Sequence, residues 1–245
     1  MRRQRALLLT REAQEYLPAV HAAFADLRLA TDRLLRADRD RLLTVSCLPS
    51  LAAKWLVPRL AAFQDAHPDI EVRIATATRL VDFRREEIDL AIRYGKGRWP
   101  GLQAHWLMAE DVFPVCSPAL LDGERPLRRH EDLASHTLLH VNLYPEEWLL
   151  WLTAAGLPTS LAGGAGLTFD LGLMALQAAI DGLGVALGRT PFVAVDIAAG
   201  RLVAPFDVVL PSEAGFYVVT PKQAAEAPKI ARFREWLIAA AASDR

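Results

Sequence analysis

Residues 42–94 constrain the fold more than any other part of the chain. They read as strand, helix, strand, helix, strand. The first apolar run, from Leu42 to Leu48, stops at Pro49-Ser50, where Ser50 is placed to cap a helix. That helix carries Leu56, Leu60 and Phe63 at steps of four and three, one apolar face. A second strand over 70–76 has β-branched Ile70, Val72 and Ile74. A short amphipathic segment with Leu80 and Phe83 leads into a third strand over 88–94. Strands alternating with helices imply right-handed crossovers and a parallel sheet. In such sheets ligands sit beyond the carboxyl ends of the strands. Here those ends are 46–50, 76–78 and 93–95. They offer hydroxyls, helix-start amides and the Arg93 guanidinium, which is equipment for holding a small molecule.

The rest of the chain repeats the pattern. After the turn-rich Gly95–Gly101 loop, strands are expected over 102–108 and 111–116, divided at Ala109-Glu110. A short helix near 130–134 and a strand over 138–142 follow. Next comes a helix over 145–155 with Trp148, Leu149 and Leu152 facing inward. A strand at 167–169 is followed by Asp170, which opens a helix ending at Asp181-Gly182. A strand over 185–188, a helix from Thr190-Pro191, a strand over 216–220 and a closing helix over 229–242 complete the reading. There are thus two α/β blocks, the second (108–215) inserted into the first (42–107 with 216–245). Two chain crossings between them make a hinge pair with a cleft.

The N-terminal part differs in kind. Ala13, Leu17, Val20, Phe24, Leu27, Thr31 and Leu34 alternate at steps of four and three, a heptad seam interrupted by Pro18. A helix with one apolar stripe needs a partner, and self-association through Leu17, Val20, Phe24, Leu27 and Leu34 is expected. Residues 1–41 hold nine Arg against six acidic residues although the whole chain is near neutral at −1. A basic arm on an acidic body suggests an anionic neighbour near the N-terminus, and a solvated helix face is the commoner explanation.

Enzyme signatures fail on context. Gly182-x-Gly184-x-x-x-Gly188 follows a helix and precedes a strand, whereas a phosphate cradle needs strand, glycine turn, then helix. There is no nucleophile elbow, Walker sequence or Cys-x-x-Cys pair. His136 and His140 lie on a strand-like run, too far apart for one metal. Cys47 and Cys116 read as buried reduced thiols. No catalytic residue, cofactor or metal is expected. The apolar stretches after Arg5 and at 237–242 are too short for a signal core or a bilayer span, so a cytoplasmic protein without membrane contact is expected.

The run PSLAAKWLVPRLAAFQDAHPDIEV, followed by RLVDFRREEIDLAIRYGKG, resembles the effector-binding domain of LysR-type transcriptional regulators. It is most similar to the glycine-cleavage-activator-like subgroup, and the resemblance extends from about Arg5 to the C-terminus. Residues 1–9 resemble the last wing strand of a winged helix-turn-helix, and 10–41 the linker and dimerisation helix. Ala13 stands where the family usually has Gly. The resemblance implies two lobes of the type 2 periplasmic-binding-protein fold. It also implies a small-molecule effector, a dimer or tetramer, and DNA binding through a helix-turn-helix that these 245 residues do not contain. It carries effector contacts onto Ser46, Pro49, Ser50, Thr76, Thr78 and Phe169-Asp170. Arg93 and Tyr94 are further candidates, for an anionic or aromatic effector, the other reading being that they pair with Glu86 or Asp89 nearby. A transporter's solute-binding protein has the same fold and is the alternative.

Overall fold

The structure, a computed structural model, describes residues 10, 14, 16–17, 19–21, 23–24, 41–164 and 166–243. It divides into two compact units, 1–42 and 43–245. In the first, the described residues from Gln14 to Phe24 are helical, with the Gln14 amide donating to the Thr10 carbonyl at 3.0 Å. Leu17 and Phe24 are 38% and 68% exposed and Val20 is half-buried. Leu27, Leu34, Pro18 and residues 1–9 lie outside the described residues.

The second unit is an eight-stranded sheet in the order β2-β1-β3-β8-β4-β7-β5-β6. The strands are β1 (Leu42–Cys47), β2 (Glu71–Thr76), β3 (Leu90–Gly95), β4 (Leu102–Val115), β5 (Leu138–Val141), β6 (Leu167–Phe169), β7 (Val185–Arg189) and β8 (Leu210–Pro221). β1 pairs parallel with β3, and β5 pairs parallel with both β6 and β7. The centre differs from a purely parallel sheet. β8 runs antiparallel to β3 and β4, and β4 runs antiparallel to β7. The sequence divides 102–116 into two strands, but β4 is one strand of 14 residues. What reads as a break is a pair of register shifts, between Trp106 and Met108 and between Ala109 and Asp111. A bulge keeps the strand hydrogen-bonded while re-aiming its side chains.

Around the sheet lie α1 (Pro49–Leu51), α2 (Leu60–Ala66), α3 (Ala119–Asp122), α4 (Glu147–Ala154), α5 (Gly172–Ile180), α6 (Thr190–Ala198) and α7 (Pro228–Ala242). Between α1 and α2 the chain passes through a π-helical turn (Ala52–Leu56) and a 3-10 turn (Val57–Arg59). Pro58 explains this, because it lacks a donor and its ring crowds the carbonyl one turn back. Ser50 does not cap this segment. Leu48 is the cap, no side chain bonds the first amides, and Ser50 sits inside the turn behind Pro49.

The helix expected between β2 and β3 is not formed, and Leu80 is 66% exposed. Side chains there satisfy the backbone locally. Glu86 accepts from the Asp82 amide at 2.8 Å and from both Arg79 Nη atoms at 2.8 and 2.7 Å, while Asp82 accepts from the Arg84 amide at 3.0 Å. Such bonds offer the chain an alternative to helix. In α4 the inward residues are Trp148, Trp151 and Leu152, while Leu149 is 40% exposed. A start at Glu147 puts Leu149 on the outer face. α5 ends as expected at Gly182, whose φ of 77° lets the Leu183 amide reach back to the Ala178 carbonyl at 2.9 Å.

The main core runs from Leu43, Val45 and Phe63 through Phe233 and Leu237, and continues to Leu176, Ala179, Phe192 and Val193. A smaller core gathers Cys116, Leu127, Leu133, Trp148, Trp151, Leu152 and Phe206. The larger one therefore joins both α/β blocks beneath the carboxyl ends of β1 and β7.

Candidate functional site

At those strand ends is a narrow cavity of about 30 Å³, room for a water or two. Leu48, Pro49 and Ser50 line it from the end of β1, and Thr78 from beyond β2. Opposite stand Val141, Leu143, Tyr144 and Glu147 after β5, Asp170, Leu171 and Gly172 after β6, and Leu187, Arg189 and Phe192 around the end of β7. The walls nearly touch. A methyl group on Gly172 would lie 3.6 Å from Ser50 Oγ. Ser50 is 8% exposed and its hydroxyl has no hydrogen-bond partner among the described residues. α5 opens on the same space with no side chain capping it.

The charged groups are tightly organised. Arg189 is 6% exposed and donates Nη1 to Glu110 and Nη2 to Glu147, and its guanidinium carbon stands 3.9 Å from the centroid of the Tyr144 ring. Glu110 is placed by the β4 bulge and is 2% exposed, whereas Glu147 opens α4 at the cavity wall. Burial pushes both carboxyls above their ordinary values, more strongly than the Arg189 charge draws them down. Burial lowers Arg189, but the charges of Glu110 and Glu147 outweigh it, so its pKa is raised. One guanidinium is thus shared by two carboxylates. Asp170 adds a third carboxylate at the rim, where its Oδ1 accepts from Asn142 Nδ2 at 2.6 Å.

Of the residues singled out in the sequence, the structure brings Pro49, Ser50, Thr78 and Asp170 to this lining. Ser46, Thr76, Arg93, Tyr94 and Phe169 lie outside it. Ser46 is fully buried and accepts from Arg93 Nη2 at 2.7 Å, and Arg93 also donates to the Ile92 carbonyl at 3.0 Å. Arg93 is therefore spent inside the sheet, where burial lowers its pKa. Tyr94 hydrogen-bonds Ser212 and packs against Phe216. Thr76 is exposed at the end of β2, and Phe169 packs on the main core.

Arg189, Glu147, Glu110 and Tyr144 escape the sequence reading. The signal that could have found them is a charge where an apolar strand predicts none. Arg189 follows Val185–Gly188 directly, and Glu110 stands between two apolar runs. Burial raises the Cys47 thiol to about 12 and the Cys116 thiol to about 11, so both are inert at neutral pH. Among the described residues no group of three or more His, Cys, Asp or Glu could hold a metal ion.

The sequence model of the LysR substrate binding domain matches residues 36–242. The chain is 46% identical over 244 residues to the glycine cleavage system transcriptional activator of Escherichia coli (strain K12), covering 100% of this chain and 79% of that one. It is 33% identical over 238 residues to the transcriptional activator AmpR of Pseudomonas aeruginosa, 97% of this chain and 79% of that one. The solved effector domain of that AmpR superposes with a TM-score of 0.69 at 33% identity, covering 83% of this chain and 96% of that chain. The AmpR effector binding domain from Citrobacter freundii gives 0.70 at 26%, with 83% and 99% covered. These relatives are transcriptional regulators, not enzymes and not transporter components. The mixed sheet is the type 2 periplasmic-binding-protein fold of LysR effector domains. The cleft therefore belongs to a substrate-binding domain, and the chain is a member of the LysR family of ligand-responsive transcriptional regulators.

Proposed function

We propose that residues 42–107 with 216–245 and residues 108–215 act as two lobes, hinged at β4 and β8, that close on a small-molecule effector. One observation carries this reading. The cavity wall is contributed by Pro49, Ser50 and Thr78 from the first block and by Tyr144, Glu147, Asp170 and Arg189 from the second. A ligand touching both sides binds the closed form better than the open one and shifts the population toward it. The lobe angle then alters how protomers present their DNA-binding heads. Protomers associate through the helix bearing Leu17, Val20, Phe24, Leu27 and Leu34, and DNA is read by a helix-turn-helix N-terminal to it. A regulator of this kind works in the cytoplasm, and no described helix is long and apolar enough to cross a membrane. The 46% identity to the glycine cleavage activator supports control of the same genes by this protein.

Ser50→Trp tests the cleft. It fills the space between α1 and α5, and is expected to abolish the thermal shift given by any effector, about 2.7 kcal/mol at a hundredfold excess over Kd. A shift that survives this substitution places the ligand elsewhere.

A further inference from the structure

Among the described residues that line the cleft there is one cation, Arg189, and it is already engaged. Both Nη atoms of Arg189 are bonded to carboxylates, and Tyr144 covers a face of the guanidinium. The charged atoms left to a ligand are carboxylate oxygens. Glu147 uses only Oε1 and Asp170 only Oδ1, so Oε2 and Oδ2 carry no hydrogen bond among the described residues. Ser50, nine-tenths buried, lines the same cavity beside Gly172. Arg93, the other guanidinium near these strand ends, is turned into the sheet toward Ser46. Glu110 and Glu147 thus share Arg189 where water screens poorly, and Asp170 adds a further carboxylate at the exposed rim.

Resting on the effector-cleft reading above, we propose that the ligand presents a protonated amine to Glu147 and Asp170, and that purely anionic small molecules are rejected. An incoming ammonium meets two unused carboxylate oxygens and supplies the positive charge the cluster lacks. An incoming carboxylate meets the same oxygens and would have to displace Glu147 from Arg189. The Ser50 hydroxyl and the uncapped start of α5 serve the polar remainder of the ligand.

Compounds that differ only at nitrogen test this. An L-amino acid series, its N-acetyl derivatives and the corresponding 2-hydroxy acids are titrated into the full chain by calorimetry and thermal shift. An amino acid is expected to bind, with both counterparts weaker by about tenfold or more. Glu147→Gln and Asp170→Asn should each weaken the amine severalfold. Asp170, at the exposed rim, reports even where substitution in the buried cluster disturbs folding. An N-acetyl or hydroxy acid that binds as well as its amine overturns the proposal, as does a series in which no amine binds. Ser50→Trp separates the two levels. If it abolishes binding of a ligand without an amine, the cleft stands and the preference for a cation falls. If amine binding persists in it, the cleft reading falls as well.

Discussion

Arg189, at the end of β7, ties β4 and α4 together. Two carboxylates from distant parts of the chain, Glu110 and Glu147, converge on it in a site from which water is nearly excluded. Removing one partner of a buried pair leaves the others desolvated and uncompensated. Arg189→Leu is therefore expected to lower unfolding free energy by about 3–5 kcal/mol in urea titrations. The same cluster sets a pH dependence. Unfolded, both carboxyls titrate near 4.5; folded, burial holds them higher. The native state binds protons more readily in that window, so this contribution to stability is fully present below the unfolded value and is lost as pH rises through the folded one. Glu147→Gln should flatten that part of the slope. Asp196 behaves oppositely. Burial raises its carboxyl, but Lys54 and Arg201 together outweigh that and hold it low, so its stabilisation is lost on acidification.

At the scale of elements, the bulge in β4 is what makes the cluster possible. It turns Glu110 toward Arg189 while the strand continues from one block into the other. Its partner β8 needs Gly215 there, because a Cβ would sit 2.4 Å from the Trp106 ring and 2.7 Å from the Met108 carbonyl. Gly215→Ala is expected to cost about 1–3 kcal/mol in chemical denaturation, since the Met108 carbonyl belongs to the β4–β8 ladder and cannot retreat without breaking it. A second bond between elements lies one helical turn from the cleft. Lys54, four residues after Ser50, donates to Asp196, four residues after Phe192, at 2.8 Å. Lys54→Met leaves Asp196 with Arg201 alone. It should loosen the contact between the π-helical turn and α6, read as faster amide hydrogen exchange in both segments.

For the whole molecule, β8 and β4 pair at the centre of the eight-stranded sheet, and the main core draws residues from 43–92 and from 175–193 alike. A ligand larger than the 30 Å³ cavity requires the walls to part. Effector binding should therefore appear in small-angle scattering as a change in radius of gyration that Ser50→Trp no longer shows. On the function proposed above, association belongs to the other unit. Replacing Leu17 and Phe24, both exposed on the N-terminal helix, with Glu is expected to lower the sedimenting mass without altering the melting of residues 43–245.

Periodicity and punctuation in the sequence were enough to mark most strands and helices and the end of β1 that lines the cavity. Apolar spacing and the Pro and Gly signals are local, so 49–50 and 170 could be placed at strand ends without coordinates. The missing helix over 78–89 and the single long β4 were hidden because side-chain bonds to the backbone, and a bulge, leave no mark in hydrophobic period. Tertiary structure alone decided the chemistry of the cleft. Whether Arg93 or Arg189 faces a ligand depends on which carboxylates and hydroxyls lie within three ångströms of each, and those partners come from elements up to 79 residues away in sequence. Pairing at that range is set by sheet register and burial, which no local pattern encodes.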